Sequence, residues 1–499
     1  MFGTVTIALF SILFTIWILR RRKHFSSFLK LGIPGPKPNL LFGNMWEMYW
    51  KGPLPCLQDW IDQYGNVFIY FFGLRPVLVV MDLDLLKQIQ IKDFMDFVDR
   101  PGLFELDPPR EPGEPINLIL IFLRGTHWKR VRGVLTPSFT TLKLKTMAQT
   151  MDETIDDFIR NVDEYSRKEN CLDVYKLFQA MSMDVIIKCA LGVDAHVQKN
   201  PMEHELLNHA DVILSTSIQS LPFLIHMSFP AFGWLMKIIR TLEFKFQNKG
   251  SDPILDLVEV CRQVMKSRAA DPGVCSNIYF STNFVTPTYT NKTLKTSFDI
   301  VAYYATTSSA LGYTTHLLVQ HPEVQEKIRQ EVDELVENEG ENLDYVSVHK
   351  LRYLDQVFSE SLRVYPPVYL FVNREANTDI TYGSIQIPKG MAVQVPVYHL
   401  HHNPTIWSDP EKFDPERFSP DNHNRSPLAW QPFGYGPRNC IGMRFAQLEA
   451  KMALARMVQK YFLRPCEKTE KKLTIRTGSA IINPANGIFV KFVRRNSLK

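Results

Sequence analysis

The sequence predicts a mainly α-helical fold with a small β portion (α+β), a single domain behind an N-terminal transmembrane helix. Three observations predict it. Residues 2–19, FGTVTIALFSILFTIWIL, carry no charge. From about residue 50 to 370, apolar residues recur mostly at helical spacing. Beyond that the period falls to two over several short runs.

The first run, as a helix rising about 1.5 Å per residue, spans roughly 27 Å, near the thickness of a bilayer core. Arg20 to Lys23, RRRK, follows at once. Basic residues on that side favour a cytosolic main body, because positive flanks resist translocation. A cleaved signal peptide is the competing reading, but its basic region should precede the apolar run, and no small-residue cleavage site follows. In the cytosol the sequons Asn291-Lys-Thr and Asn424-Arg-Ser would stay unmodified. Pro34, Pro36 and Pro38 fix φ and make LGIPGPKPNLLFGN a stiff, extended spacer. The expected organisation is an anchor at 2–19, a basic and proline-rich linker at 20–38, and the main domain at 39–499.

Within that domain, HPEVQEKIRQEVDELVENEG places Val324, Ile328, Val332, Leu335 and Val336 on one stripe, and Gly340 ends it. Leu351, Leu354, Val357, Phe358 and Leu362 form a second stripe, stopped by Pro366 and Pro367. Ile380 and Tyr382, then Ile385 and Ile387, then Val393 and Val395 alternate as strands, with Pro388 to Gly390 as a turn. A last helix starts right behind Cys440, with Phe445, Leu448, Met452 and Ala455 on one face. No internal repeat or low-complexity tract interrupts the 499 residues.

Net charge is +5, from 57 basic against 52 acidic residues, too small and dispersed an excess to argue for nucleic acid. The seven cysteines are scattered, without CxxC spacing, so neither a disulfide framework nor a zinc module is indicated, which fits a reducing compartment. HLHHNP supplies His399, His401 and His402. Strand alternation would split them between two faces with no carboxylate at ligand spacing, which argues against a metal site.

The stretch FGYGPRNCIG, 433–442, sets Cys440 among three glycines and an arginine. A thiolate is a strong anionic metal ligand and gains from the aligned N–H groups of a helix N-terminus. Gly436 and Gly442 would let backbone approach a flat cofactor, Phe433 could pack beside the ligand, and Arg438 could neutralise an acid on the cofactor edge. A glycine-rich turn with an incidental cysteine is the plain alternative for the loop taken alone.

The order Phe433, Gly436, Arg438, Cys440, Gly442 resembles the haem-ligand signature of the cytochrome P450 family. Glu360-Ser-Leu-Arg363 is similar to the family's E-x-x-R helix, and Arg417 in DPERF to the segment completing its Glu–Arg–Arg cluster. Trp128 to Arg132 is similar to its W-x-x-x-R helix, and the anchor and proline-rich spacer to the microsomal type. These elements occur in the family's order over essentially the whole chain. The wording is most similar to the drug- and steroid-oxidising animal subfamily and its thromboxane-synthase relatives. The resemblance implies haem b with Cys440 as axial thiolate, whose electron donation favours O–O cleavage. It implies that Trp128, Arg132 and Arg438 hold the haem propionates, with Arg374 added by position after the E-x-x-R helix. Glu360, Arg363 and Arg417 would hold the haem loop. It implies residence in the endoplasmic reticulum membrane with the catalytic domain cytosolic, a lipophilic substrate, and electrons from NADPH through NADPH–cytochrome P450 reductase. Lys129, Arg130, Arg444 and Lys451 are candidates for reductase docking. PGLFELDPPREPGEPINLILIF and PVYLFV would line an apolar substrate pocket.

The chain departs from the family in its central helix. Where the family carries A/G-G-x-D/E-T-T/S, residues 302–307 read AYYATT: Thr306 and Thr307 are kept, Tyr303 replaces the glycine and Ala305 the acid. A ring at 303 fills the space beside iron or must turn away. Alanine cannot relay a proton, which leaves Thr306 and ordered water. Asp299 lies about two turns before Thr306, too far to replace the acid directly. Three functions stay open: a membrane-bound monooxygenase with weakened or rerouted proton delivery, a haem–thiolate isomerase or lyase acting on lipid peroxides, and a non-catalytic protein whose pocket Tyr303 has closed.

Overall fold

Apolar stripes along successive helices meet in one cluster. In the computed structural model, Thr141–Lys168, Val174–Leu191, Lys292–Gln320, Arg352–Val364 and Met443–Lys460 pack around buried Phe158, Phe178, Leu311, Phe358 and Met452. The structure describes residues 2–27, 31–101, 120–168, 171–214, 217–232, 242, 292–340, 343–370, 372–422, 425–479 and 481–495. The sequon asparagines Asn291 and Asn424 and most of PGLFELDPPREPGEPINLILIF lie outside the described residues, as does the side chain of Asp299.

The helix Pro322–Glu339 buries Val324, Ile328, Val332 and Leu335 and ends at Gly340, at φ 93°, as its stripe predicts. The central helix, Lys292–Gln320, runs through the middle of the cluster and packs along Val174–Leu191. Gly312 permits its close approach to the chain's last strand: a Cβ there would lie 2.6 Å from Ile488 Cδ1. The alternating runs form short strands. Arg75–Val80 pairs antiparallel with Val67–Phe72 and parallel with Ala392–Gln394, which pairs in turn with Asn373–Glu375. Ile380–Tyr382 and Ile385–Ile387 form a separate hairpin.

Three expectations change. The first helix runs unbroken from Phe2 to Ser27, so the basic stretch is helical and the proline spacer begins after it. Thr4–Ser26, with mean hydropathy 1.6, is long and apolar enough to cross a membrane. Arg21 is buried against the domain, donating to the carbonyls of Leu40 (3.1 Å) and Leu41 (2.7 Å). Second, Cys171 and Cys466 are joined as a disulfide across 295 residues of sequence, a pairing invisible to spacing because it is made by strands distant in the chain. Third, His399 and His401 stand on a short helix, Val397–His401, not on a strand. One nitrogen of each ring takes a protein partner: His399 Nε2 lies 2.9 Å from the Leu54 carbonyl, and His401 Nε2 accepts the Gln431 N–H at 2.9 Å.

That last bond belongs to the cluster on which the C-terminal loop rests. Glu360 and Arg363 share one face in the last turns of Arg352–Val364 and are both fully buried. Arg363 grips the carboxylate with two donors, Nε to Oε2 at 2.7 Å and Nη2 to Oε1 at 2.8 Å. Its remaining N–H groups reach the carbonyls of His401, Pro410 and Lys412. The Asp414 N–H donates to Glu360 Oε1, and Arg417 Nε stands 3.4 Å from the same oxygen. The Trp430 indole donates to the Ser359 carbonyl at 3.1 Å. One charged pair therefore ties the helix to the segment leading into residues 433–442. Glu360→Ala leaves Arg363 buried and unanswered and is expected to cost about 3–5 kcal/mol. Arg417→Ala, at the cluster's edge, is expected to cost less. Thermal unfolding checks the pair, and equal losses would contradict this ordering.

Candidate functional site

The loop before the last helix is closed by backbone bonds from Gly434 N to Gln431 O, Asn439 N to Gly436 O and Cys440 N to Phe433 O (3.0, 3.0 and 2.8 Å). Gly434 and Gly436 sit at φ 69° and 75°, where a side chain strains the backbone. A Cβ at Gly436 would also lie 2.2 Å from the Gln90 carbonyl oxygen. Gln90 Nε2 in turn donates to Gln431 Oε1 at 3.0 Å, which clamps the loop against the N-terminal half of the domain. Gly442 differs from this. Its φ is −87°, and a Cβ would make ordinary contacts with Phe139 and Tyr303 at 3.9 and 4.0 Å. Phe433 is half-buried, 6.3 Å from the Trp430 ring.

Cys440 is presented two residues before the helix cap at Gly442. Its side chain is accessible, yet burial pushes its thiol pKa up. Both hold for a group that faces a space enclosed by protein. The Gly442 N–H and the guanidinium groups of Arg132 and Arg100 pull the other way, favouring the thiolate.

Around that thiol stand four arginines. Arg132, on the helix Gly125–Leu135, donates to the Asn439 carbonyl (2.6 Å) and Asn439 Oδ1 (2.8 Å). Arg438 donates to the Leu123 carbonyl at 2.7 Å and lies 4.5 Å from the centre of the Trp128 ring. Arg374, paired across the sheet with Val393, donates to the Tyr435 carbonyl at 3.0 Å. Arg100 donates to the Arg438 carbonyl at 3.0 Å. Burial lowers the Arg100 and Arg438 pKa values to about 10 and about 9. Burial, and then repulsion from Arg100, Arg438 and Arg132, holds Arg374 well below the ordinary value. Nε of Arg100, Arg374 and Arg438 and Nη1 of Arg438 are buried without hydrogen-bond partners. The nearby acid, Asp99, faces Arg124 at 3.6 Å and accepts the Gly125 N–H. The cluster is built for a ligand carrying more than one negative charge.

The structure thus brings Trp128, Arg132, Arg374, Arg438 and Cys440 together. It adds Arg100, which no periodicity marks in VDRPG. Thr306 lies apart from the arginines on the central helix, its hydroxyl donating to the Tyr303 carbonyl at 3.1 Å. Tyr303 turns toward the last helix. Its ring packs edge-on against Phe445 at 5.1 Å, and its hydroxyl donates to Glu449 Oε2 at 2.6 Å. Ala305 is buried in the core. Among the docking candidates Lys129, Arg130 and Arg444 are exposed, but Lys451 is not available: it is buried and paired with Asp355 at 3.0 Å.

Gly436→Ala is expected to lower the thermal unfolding midpoint sharply, since the new methyl meets backbone at a strained φ. Gly442→Ala, which has room within the protein, is expected to leave the fold nearly unchanged. Equal midpoints would show that the loop tolerates a side chain at 436.

Comparison with known proteins agrees with this geometry. The family model for Cytochrome P450 matches residues 33–492. The chain is 32% identical over 482 residues to Cytochrome P450 3A18 of Rattus norvegicus, covering 94% of each. It is 32% identical over 500 residues to Cytochrome P450 3A11 of Mus musculus, covering 96% of this chain and 94% of the relative. With Cytochrome P450 3A5 of Homo sapiens it shares 31% over 496 residues, covering 96% and 95%. With its thiol loop, its buried Glu–Arg pair and its matched length, the chain belongs to the cytochrome P450 family.

Proposed function

We propose that the protein is a membrane-anchored haem–thiolate monooxygenase that inserts one oxygen atom from O₂ into a lipophilic substrate. The observation that carries this reading is the set of buried, mutually repelling arginines around an accessible thiol. Haem fits that set, because its two propionates would answer the unpartnered guanidinium nitrogens while the thiolate occupied the iron. Cys440 would hold its iron through the thiolate. Arg100, Trp128, Arg132, Arg374 and Arg438 would hold the propionates, and Phe433 would pack beside the ligand. When bound, haem supplies the activation of O₂. The chain supplies the rest: the Gly442 N–H and two arginines oppose the burial that favours the Cys440 thiol, and Thr306 offers a hydroxyl on the central helix.

Electrons would come from NADPH through the membrane-bound reductase, docking where Lys129, Arg130 and Arg444 are exposed. A depression lined by Arg417, Arg425, Trp430, Phe433, Asn439 and Met443 would suit such a partner. The first helix and its basic stretch suit the endoplasmic reticulum membrane with the domain in the cytosol. Ala305 favours a second reading, rearrangement of a lipid peroxide, which needs no acid at that position because the substrate already contains the O–O bond.

The reduced protein in membranes is expected to give a strongly red-shifted carbon monoxide band. Cys440→Ser is expected to abolish that band, and Arg374→Ala to lower haem content. NADPH-driven oxidation then separates the first reading from the second, for which a lipid hydroperoxide would turn over without NADPH. Haem incorporation without carbon monoxide binding would overturn both.

A further inference from the structure

Glu449 has an unusual setting. It lies on the last helix, fully buried, and its two oxygens accept from Ser182 (2.6 Å) and Tyr303 (2.6 Å). Among the described residues it forms no ion pair. The basic residues that follow it, Lys451 and Arg456, are committed to Asp355 and Asp152. The titratable groups facing it are Cys189, on Val174–Leu191, and Tyr303, on the central helix. A buried carboxyl without a cation favours its protonated form. Burial accordingly raises the Glu449 pKa from 4.5 to about 7, with the Ser182 and Tyr303 hydrogen bonds opposing the rise.

Tyr303 and Ala305 are the positions at which this chain departs from its family. The tyrosine that displaces the glycine reaches the carboxyl that the helix lacks at 305. On the same face one turn later, Thr307 Oγ1 is buried without a partner, near enough to the Tyr303 hydroxyl to oppose the rise in its pKa.

We propose that Glu449, acting through the Tyr303 hydroxyl, supplies the proton-donating carboxyl missing from position 305. One proton passes from the Glu449 carboxyl to the Tyr303 oxygen as the phenol's own proton passes to Thr307 Oγ1 and the threonine's own proton passes on to water in the site, so that both hydroxyls keep one proton and the carboxyl alone has lost one. The phenol is regenerated, and a carboxylate remains, to be reprotonated from water through the same hydroxyls between turnovers. No electrons move. This rests on the monooxygenase reading, which alone requires delivered protons.

Two measurements on the full-length haem-loaded protein test it. The first needs no turnover. Infrared spectra of the ferric protein should show a protonated-carboxyl band titrating near pH 7, absent in Glu449→Gln and moved to higher pH in Tyr303→Phe, because the phenol's hydrogen bond lowers the Glu449 pKa. Between pH 4.5 and 7 the folded protein binds a proton that the unfolded chain does not. Thermal stability of the wild type should therefore fall across that window relative to Glu449→Gln. The second uses NADPH, the reductase and a fluorogenic benzyl-ether probe. Both variants should keep the carbon monoxide band, lose about tenfold or more in probe oxidation per NADPH, and release more hydrogen peroxide. Glu449→Asp should restore part of the coupling. In the wild type the loss should appear as pH rises through about 7, and in Glu449→Gln this inflection should vanish. Unchanged coupling in both variants, or no titrating band, overturns the relay and leaves the monooxygenase standing. Absence of NADPH-driven oxidation in the wild type, with the infrared band present, overturns the monooxygenase reading and the relay with it.

Discussion

A buried guanidinium must be answered by charge or by hydrogen bonds, and this protein answers its buried arginines in two ways. Arg363 is answered within the chain: Glu360 takes two of its donors, and three carbonyls take the others. That cluster is complete, so it is rigid, and it holds the segment on which the thiol loop sits. Arg100, Arg374 and Arg438 are left with unpartnered nitrogens, although Arg374 and Arg438 are nearly as deeply buried. Such a set is costly to fold without its anion. On the proposed reading folding and cofactor binding are coupled: the first cluster positions the loop, and the second would be completed by what the loop binds.

Local chemistry explains which parts of this arrangement were legible in the sequence. The thiol loop combines positive-φ glycines, a cysteine and a helix start within ten residues, and the Glu–Arg pair lies at i and i+3 on one helix. Such signals survive as strings because their geometry is local. Arg100 was not legible: its role depends on Asp99 being paired with Arg124 and on the Arg438 carbonyl lying nearby, both contacts remote in sequence. His401 was misplaced for a related reason. HLHH after an alternating run looks like strand, but Val397–His401 closes a helical turn, and His401 links the pair-bearing helix to the loop, its carbonyl accepting from Arg363 and its ring from the Gln431 N–H. The Cys171–Cys466 bond likewise belongs to tertiary pairing, between Leu172–Asp173, Phe489–Arg494 and Tyr461–Arg464.

The central helix shows how two departures from a pattern can be one structural event. Positions 303 and 305 lie about 200° apart around a helix, so the two side chains cannot serve the same face. Ala305 is sealed in the core, on a side where an ionised acid would have to be desolvated. Tyr303 projects toward the last helix and ends on Glu449. The ring itself rests on Phe445 and lies within contact of a Cβ at Gly442, so it stands between the central helix and the end of the thiol loop. A phenol also differs from the residue it replaces in chemistry: it donates and accepts at one atom, and so can serve a carboxyl on one helix and a hydroxyl on another. A phenylalanine would pack against Phe445 as well. The hydroxyl's bond to a buried carboxyl that has no cation among the described residues is the feature that packing alone does not require, and on the proposed relay it puts the acid on the helix that follows Cys440.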